Sequence, residues 1–169
     1  MLDDVRILTL AITSQFPAHT PATTIQSTAS LVYKQLQAQT PVPDFELGID
    51  FITETIRLAT LIYSLSILSL TPFCSPRKTT LLQDLYYNLK QVPLAQWKEI
   101  PGIFLWILLI AAPSSGNDAQ GRFLKKKMAV AGMSIGLEDF NLATGHLRAF
   151  WKVQRWIAME NERIEEVAS

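Results

Sequence analysis

The chain has 169 residues and a mass of 19.0 kDa, the size of a single domain. Hydrophobic residues make up 49% of it and charged residues 18%, a balance that excludes a disordered protein. Fifteen basic residues offset fifteen acidic ones, which argues against nucleic-acid binding, because that depends on clustered lysine and arginine. The one such cluster, Arg122 with Lys125, Lys126 and Lys127, is interpreted as a solvated helix face.

The low share of charged residues leaves two interpretations of the surface, since a soluble domain usually carries about 25% of them. In the first, part of the surface is apolar and is covered by a partner or by the rest of a larger protein. In the second, the surface is rich in serine, threonine and glutamine instead. The single cysteine, Cys74, cannot form an internal disulfide, which fits a reducing compartment.

Apolar residues recur at helical spacing along the whole chain, and the pattern shows neither strand alternation nor hairpin turns. Proline-rich and Ser/Gly/Asn-rich loops separate the predicted helices. In chain order these helices run over Leu2–Gln15, Ala22–Ala38, Asp44–Leu70 with Asp44 as N-cap, Thr79 or Thr80 to Lys90, Pro101–Ala112, Asp118 to Gly132 or Gly136, and Leu137–Val167. The sequence therefore predicts an all-α, bundle-like single domain over residues 1–169, with about six to eight helices around a buried apolar helix near 101–112.

Two runs are apolar enough to raise the question of a membrane span. From Ile103 to Ala112 every residue is apolar, so this helix is expected to be buried on every side, and its ten residues fall short of the roughly 20 that span a bilayer. The longer run Leu58–Leu70 is interrupted by Tyr63 and three serines. Buried helices explain both runs better than membrane spans. Acidic residues at positions 3 and 4 stand where a secretory signal would be basic, so no signal peptide is expected.

No pattern of catalytic or metal-binding residues stands out. His19 and His146 each lack a second ligand one helical turn away, and are interpreted as a loop and a helix-surface histidine. Cys74 has no base that the sequence places beside it, so an idle or buried thiol is expected. Glu54 and Arg57, three residues apart on one helix face, are expected to form a structural ion pair rather than to enter a polar pocket. The sequence thus predicts no catalytic residue, no metal and no cofactor.

The second half of the chain carries an aromatic pattern in two parts. The first is a tryptophan, a proline, an apolar helix with an inner tryptophan, a loop and an arginine-aromatic pair: Trp97, Pro101, Trp106, Arg122 and Phe123. The second is a later helix with Leu147, Phe150 and Trp151. The pattern resembles the C-terminal part of the fungal-specific transcription factor domain, the helical regulatory region of fungal zinc-cluster transcription factors, and it matches best over residues 79–157.

This resemblance implies a regulatory domain that works in the nucleus; without it, a cytoplasmic protein is expected. The zinc cluster of the family needs six closely spaced cysteines and the chain has one, so neither that module nor direct DNA binding is expected. The implied partners are other proteins, the missing part of a larger regulator, or a small hydrophobic effector, since some members of the family are thought to sense small molecules. No membrane is expected as a partner.

Two other interpretations stay open. One is a stand-alone helical interaction or apolar-ligand-binding protein without catalytic activity. The other is an enzyme with a helical apolar pocket, which is least favoured because no acid cluster or metal-ligand set shows. The aromatic residues fit either an apolar pocket or ordinary core packing. The candidates for such a pocket or core are Trp97, Phe104, Trp106, Arg122, Phe123 and Trp151, where Arg122 would cap a helix end or anchor a polar ligand group.

Overall fold

The computed structural model describes residues 1–14, 21–39, 50–73, 79–112, 119–138 and 140–168. These residues form eight α-helices and no strand, so the predicted all-α class is confirmed. The helices are α1 (Leu2–Thr13), α2 (Ala22–Ala38), α3 (Phe51–Ser69), α4 (Thr79–Gln91), α5 (Leu94–Trp97), α6 (Pro101–Ala111), α7 (Ala119–Glu138) and α8 (Phe140–Ala168).

Helix α3 begins later than predicted, and its cap is a different aspartate. The helix starts at Phe51, and the Asp50 carboxylate accepts hydrogen bonds from the backbone N–H groups of Ile52 at 3.0 Å and Thr53 at 3.2 Å. Asp50 therefore satisfies two of the amides that a helix start leaves unpaired. The prediction that Asp44 caps this helix is wrong. The single turn α5 is absent from the predicted set, because four residues are too few to show a helical period.

The junction between the last two helices also differs from the prediction. Gly132 and Gly136 do not end α7, which continues to Glu138, and α8 begins at Phe140 rather than at Leu137. A glycine inside a helix costs about 1 kcal/mol relative to alanine. The packing of α7 against both α6 and α8 outweighs that cost, so the helix passes through the two glycines.

Helices α3 and α6 form the centre of the fold. Helix α3 packs against α1, α2, α4 and α6, while α6 packs against α3, α4, α7 and α8. In α6, Phe104, Leu105 and residues 107–111 are buried, as predicted, and each such side chain contributes roughly 1.5–3 kcal/mol. Ile103 and Trp106 are only half-buried, so one side of α6 faces a space rather than a neighbour.

The burial of α3 brings several hydroxyl groups into the core. Thr55, Thr60 and Ser66 donate to backbone carbonyls four residues earlier, at 2.5, 2.8 and 2.9 Å. These three side chains are satisfied within their own helix, so they can be buried without polar partners from other helices. By length and composition Phe51–Ser69 could also cross a membrane, but 61% of its most apolar stretch is buried inside this fold, as in the core helix of a globular domain.

The predicted ion pair on α3 is confirmed and has a further contact. The Arg57 guanidinium donates to both Glu54 carboxylate oxygens at 2.7 Å, and it also donates to the Leu36 carbonyl at 3.0 Å. Leu36 lies in the last turn of α2, where carbonyls lack partners within the helix. Arg57 therefore joins the end of α2 to the start of α3.

Several sequence predictions fall on residues that the structure does not describe. His19, Asp44, Cys74 and the predicted cap Asp118 lie outside the described residues. So does the Ser/Gly/Asn loop over 113–117.

Candidate ligand-binding pocket

A pocket of about 270 Å³ lies where α1, α6 and α8 meet over the side chain of Tyr63 from α3. Helix α1 contributes one face from Leu2 to Leu10, α6 contributes its beginning from Gly102 to Trp106, and α8 contributes one face from His146 to Val153. The lining residues recur three and four positions apart, which places successive turns of each helix on the same side. Ile103 and Trp106 are half-buried because they face this space between the three helices.

Aromatic rings form the floor of this pocket. Tyr63 stacks on Phe73 with ring centroids 5.8 Å apart, and it meets Trp106 edge to face at 5.9 Å. Phe73, which is fully buried, also stacks on Phe150 at 5.5 Å. Each such ring pair adds about 0.5–1.5 kcal/mol beyond the area that it buries. The rings come from α3, the segment after it, α6 and α8, so the floor is fixed by the core of the fold.

The polar atoms at the floor are paired with each other. The Thr9 hydroxyl donates to the Val5 carbonyl at 2.7 Å, and its oxygen lies 2.7 Å from Tyr63 Oη. Because a threonine hydroxyl has only one hydrogen, Tyr63 must donate its own to Thr9. Burial raises the pKa of the Tyr63 phenol above its ordinary value, so this proton stays in place at neutral pH. The floor therefore requires no polar group from a ligand.

Two nitrogen-bearing side chains lie at the edge of the pocket. Arg6 lines the pocket although it is exposed, and it makes no hydrogen bond or ion pair with any residue that the structure describes. His146 is half-buried, and this burial lowers the pKa of its imidazole, which is neutral at pH 7. The ring lies against Gly102: a Cβ built there would be only 2.9 Å from His146 Nε2.

Of the six residues predicted to form a pocket or core, Trp106 lines the pocket. Trp97 and Phe104 lie in the core instead, where their rings stack with centroids 4.9 Å apart and an angle of 12°. The void beside them is about 20 Å³, which is room for one water molecule and too small for an organic ligand. This pair therefore contributes packing rather than a binding surface.

The remaining three predicted residues lie away from the pocket. Phe123 packs edge to face against Tyr86 at 5.3 Å, and Lys127 Nζ lies 5.4 Å from the centroid of the Phe123 ring. Arg122 is exposed on α7 and does not line the pocket. Trp151 is 68% exposed and belongs to neither the core nor the pocket lining. The inward face of α8 carries other residues, namely Val153, Trp156 and Ile157.

Apart from Trp106, the residues with polar side-chain atoms in the pocket were not among the predicted site residues: Arg6, Thr9, Tyr63 and His146. The interpretation of His146 as a helix-surface residue is wrong, because the ring is half-buried against α6. One signal could have marked Tyr63, since a tyrosine inside an apolar helix needs a partner for its hydroxyl when it is buried. No sequence signal places α1 beside α8, so the other three could not be found.

The comparisons with known proteins add no relative. No protein-family model, no curated protein and no solved structure matches this chain. The resemblance to the fungal-specific transcription factor domain therefore stays a prediction. Within the described residues, no three His, Cys, Asp or Glu side chains come together in a group that could hold a metal ion.

Proposed function

We propose that this chain is a helical regulatory domain that binds a small apolar effector in the pocket between α1, α6 and α8, as the sensing part of a transcription regulator. The single observation that carries the binding is the 270 Å³ pocket with its aromatic floor. In this proposal the domain recognises a ligand and catalyses nothing. Its other partners are proteins, or the rest of a larger regulator, in the nucleus.

The chemistry of the pocket supports an apolar ligand. Known ligand sites are concave and mostly apolar, with few polar groups, and typically measure about 300–1,000 Å³. This pocket falls just below that range, which favours a small molecule. Its floor hydroxyls bind each other, so an apolar group can lie on Tyr63 without leaving a polar atom unpaired.

Filling the pocket tests the binding. Ala149 lines it from α8, and Ala158 is an exposed alanine on the same helix. Native mass spectrometry of the full chain purified from its host should show a retained small molecule. We expect Ala149→Phe to remove that molecule, because the new ring occupies its space, and Ala158→Phe to keep it. Retention by both variants would contradict binding in this pocket.

The regulatory role rests on the aromatic pattern of the sequence and has its own test. The gene can be inspected for an upstream segment with six closely spaced cysteines, which the proposal expects. The full chain can also be fused to an unrelated DNA-binding module and its effect on a reporter gene measured in a fungal host. Reporter output that changes with the effector, and stops changing in Ala149→Phe, would support a sensor. Output that equals that of the DNA-binding module alone under all conditions would contradict it.

A second candidate is a helical protein that acts through protein contacts without an effector. It is favoured by an exposed apolar stripe on α8, formed by Phe140, Leu147 and Trp151, which are 73%, 41% and 68% exposed. Seven and four residues separate them, so all three lie on one face of the helix. This candidate expects Trp151→Ser to abolish reporter output while Ala149→Phe leaves it unchanged. The proposed sensor expects the effector response to be lost in Ala149→Phe.

A further inference from the structure

Resting on the proposed function, we infer that the effector is a small monocarboxylic acid whose carboxylate lies against Arg6 at the rim of the pocket and whose apolar body lies on the aromatic floor. A cation at the rim of an otherwise apolar pocket supports this class of ligand.

The rim of the pocket carries a positive charge. Arg6 lines the pocket without an ion pair among the described residues, and no acidic side chain from those residues lines the pocket with it. Its acidic neighbours on α1, Asp3 and Asp4, do not line the pocket. An unpaired guanidinium beside an apolar space favours an anion, and its planar fork of donors fits a carboxylate.

Other groups at the pocket act in the same direction. His146 also lines the pocket, and an imidazole nitrogen can form a hydrogen bond to an oxygen atom. The first turn of α6 also faces the pocket through Gly102 and Ile103, and its N-cap residue Ile100 makes no side-chain hydrogen bond to it. The start of a helix carries a partial positive charge. The helix start adds to the positive potential that Arg6 sets, and none of these groups supplies a negative charge.

The lining and the volume of the pocket limit the body of the ligand. Away from Arg6 and His146, the lining consists of aliphatic and aromatic side chains, with the Thr9 and Tyr63 hydroxyls already paired. A pocket of about 270 Å³ corresponds to roughly nine water molecules at about 30 Å³ each, so the ligand has on the order of ten non-hydrogen atoms. Medium-chain aliphatic acids and small aromatic acids share this size and chemistry.

The test compares acids with neutral molecules of the same shape on the full chain. Octanoate is paired with 1-octanol, and 3-phenylpropionate with 3-phenyl-1-propanol, and the affinities are measured by isothermal titration calorimetry and ligand-observed NMR at pH 7. The variant is Arg6→Gln. Its matched control is Arg155→Gln, which removes an exposed arginine of α8 that does not line the pocket.

We expect the acid of at least one pair to bind about fivefold or more tightly than its alcohol, as an exposed charge pair allows. Arg6→Gln should remove that preference while changing the alcohol affinity less than about twofold, and Arg155→Gln should change neither. Equal affinities within both pairs would contradict a carboxylate ligand and would still support binding in the pocket. The same holds if the Arg6→Gln variant loses affinity for the acid and the alcohol alike. If no member of either pair binds at millimolar concentration, both the carboxylate and the proposed binding function fail.

Discussion

The imidazole of His146 lies so close to the first turn of α6 that a Cβ at position 102 would be 2.9 Å from its Nε2 atom. Glycine at this position leaves the space that the ring needs. A methyl group there would rotate the flexible imidazole away, because the backbone of α6 is held by the core.

Gly102→Ala should therefore move the His146 ring without unfolding the protein. We expect the free energy of unfolding to change by no more than about 1 kcal/mol, since alanine is the better helix former and offsets part of the contact. The pKa of His146 should rise toward 6.5 as the ring becomes more exposed, which NMR titration of its ring carbons will show. Gly132→Ala is the matched control: a Cβ there meets nothing within 4 Å, so it should stabilise α7 by about 0.5–1 kcal/mol and leave the His146 titration unchanged. An unmoved His146 signal in Gly102→Ala would contradict the contact.

The burial of His146 predicts a pH dependence of stability. Its pKa is lowered in the folded state because burial penalises the charged ring, so the unfolded chain binds the proton more readily. The contribution to stability is complete above about pH 6.5, and it is lost as the pH falls from there through the lowered pKa of the folded state.

Urea unfolding at about pH 7.5 and about pH 5 checks this prediction. The wild-type chain should lose more stability over that interval than His146→Gln, which cannot take up the proton. Parallel curves for the two proteins would show that His146 titrates alike in the folded and unfolded states.

The hydroxyl of Tyr63 is expected to contribute one hydrogen bond and nothing more. Tyr63→Phe removes the donor to Thr9 and leaves the Thr9 bond to the Val5 carbonyl intact, so unfolding should require about 1 kcal/mol less. In a Thr9→Val background the same change should cost less, because the partner oxygen is already gone. Absorbance at alkaline pH should also show Tyr63 ionising above the ordinary range of a tyrosine, since burial raises its pKa. If Tyr63→Phe lowers the free energy of unfolding as much in the Thr9→Val background as in the wild type, the hydrogen bond between the two hydroxyls is contradicted.

Two tryptophans of the aromatic pattern should differ sharply when they are replaced. Trp97 is 1% exposed and stacks on Phe104, so Trp97→Ala should destabilise the chain by about 3–5 kcal/mol. Trp151 is 68% exposed, so Trp151→Ala should change the free energy of unfolding by about 0.5 kcal/mol at most. Denaturant unfolding of both variants measures the contrast, and similar losses would contradict these placements.

The sequence predicted most helices because their apolar residues either recur at helical spacing or form a long run. Helix α2 was predicted with its observed bounds, and its buried residues Ile25, Ala29, Val32 and Leu36 follow the helical period. Helix α6 was predicted because a run of apolar residues needs cover on all sides. The confirmed Glu54–Arg57 pair followed from a spacing of three on one face.

The pocket could not be predicted in the same way, because it depends on how distant helices meet. Thr9 and Tyr63 are 54 residues apart, and nothing local links them. Trp106 was found because it is a large aromatic residue in the apolar helix, while Arg6 looks like any exposed cation until α1 is placed beside α8. The glycines of α7 misled the prediction, because local propensity is weaker than packing against two neighbouring helices.

Helix α8 has 29 residues, which is about 44 Å of helix, and its last buried residue is Ile157. Beyond that point its contacts include Arg163 with Glu160 at 2.7 Å and Asn161 with Glu165 at 2.9 Å, both of them within the helix. A stretch this short is marginal as an isolated helix. Backbone amides after Ile157 should therefore exchange with deuterium far sooner than those of α3 and α6, and a protease should trim this end while the rest of the molecule stays intact.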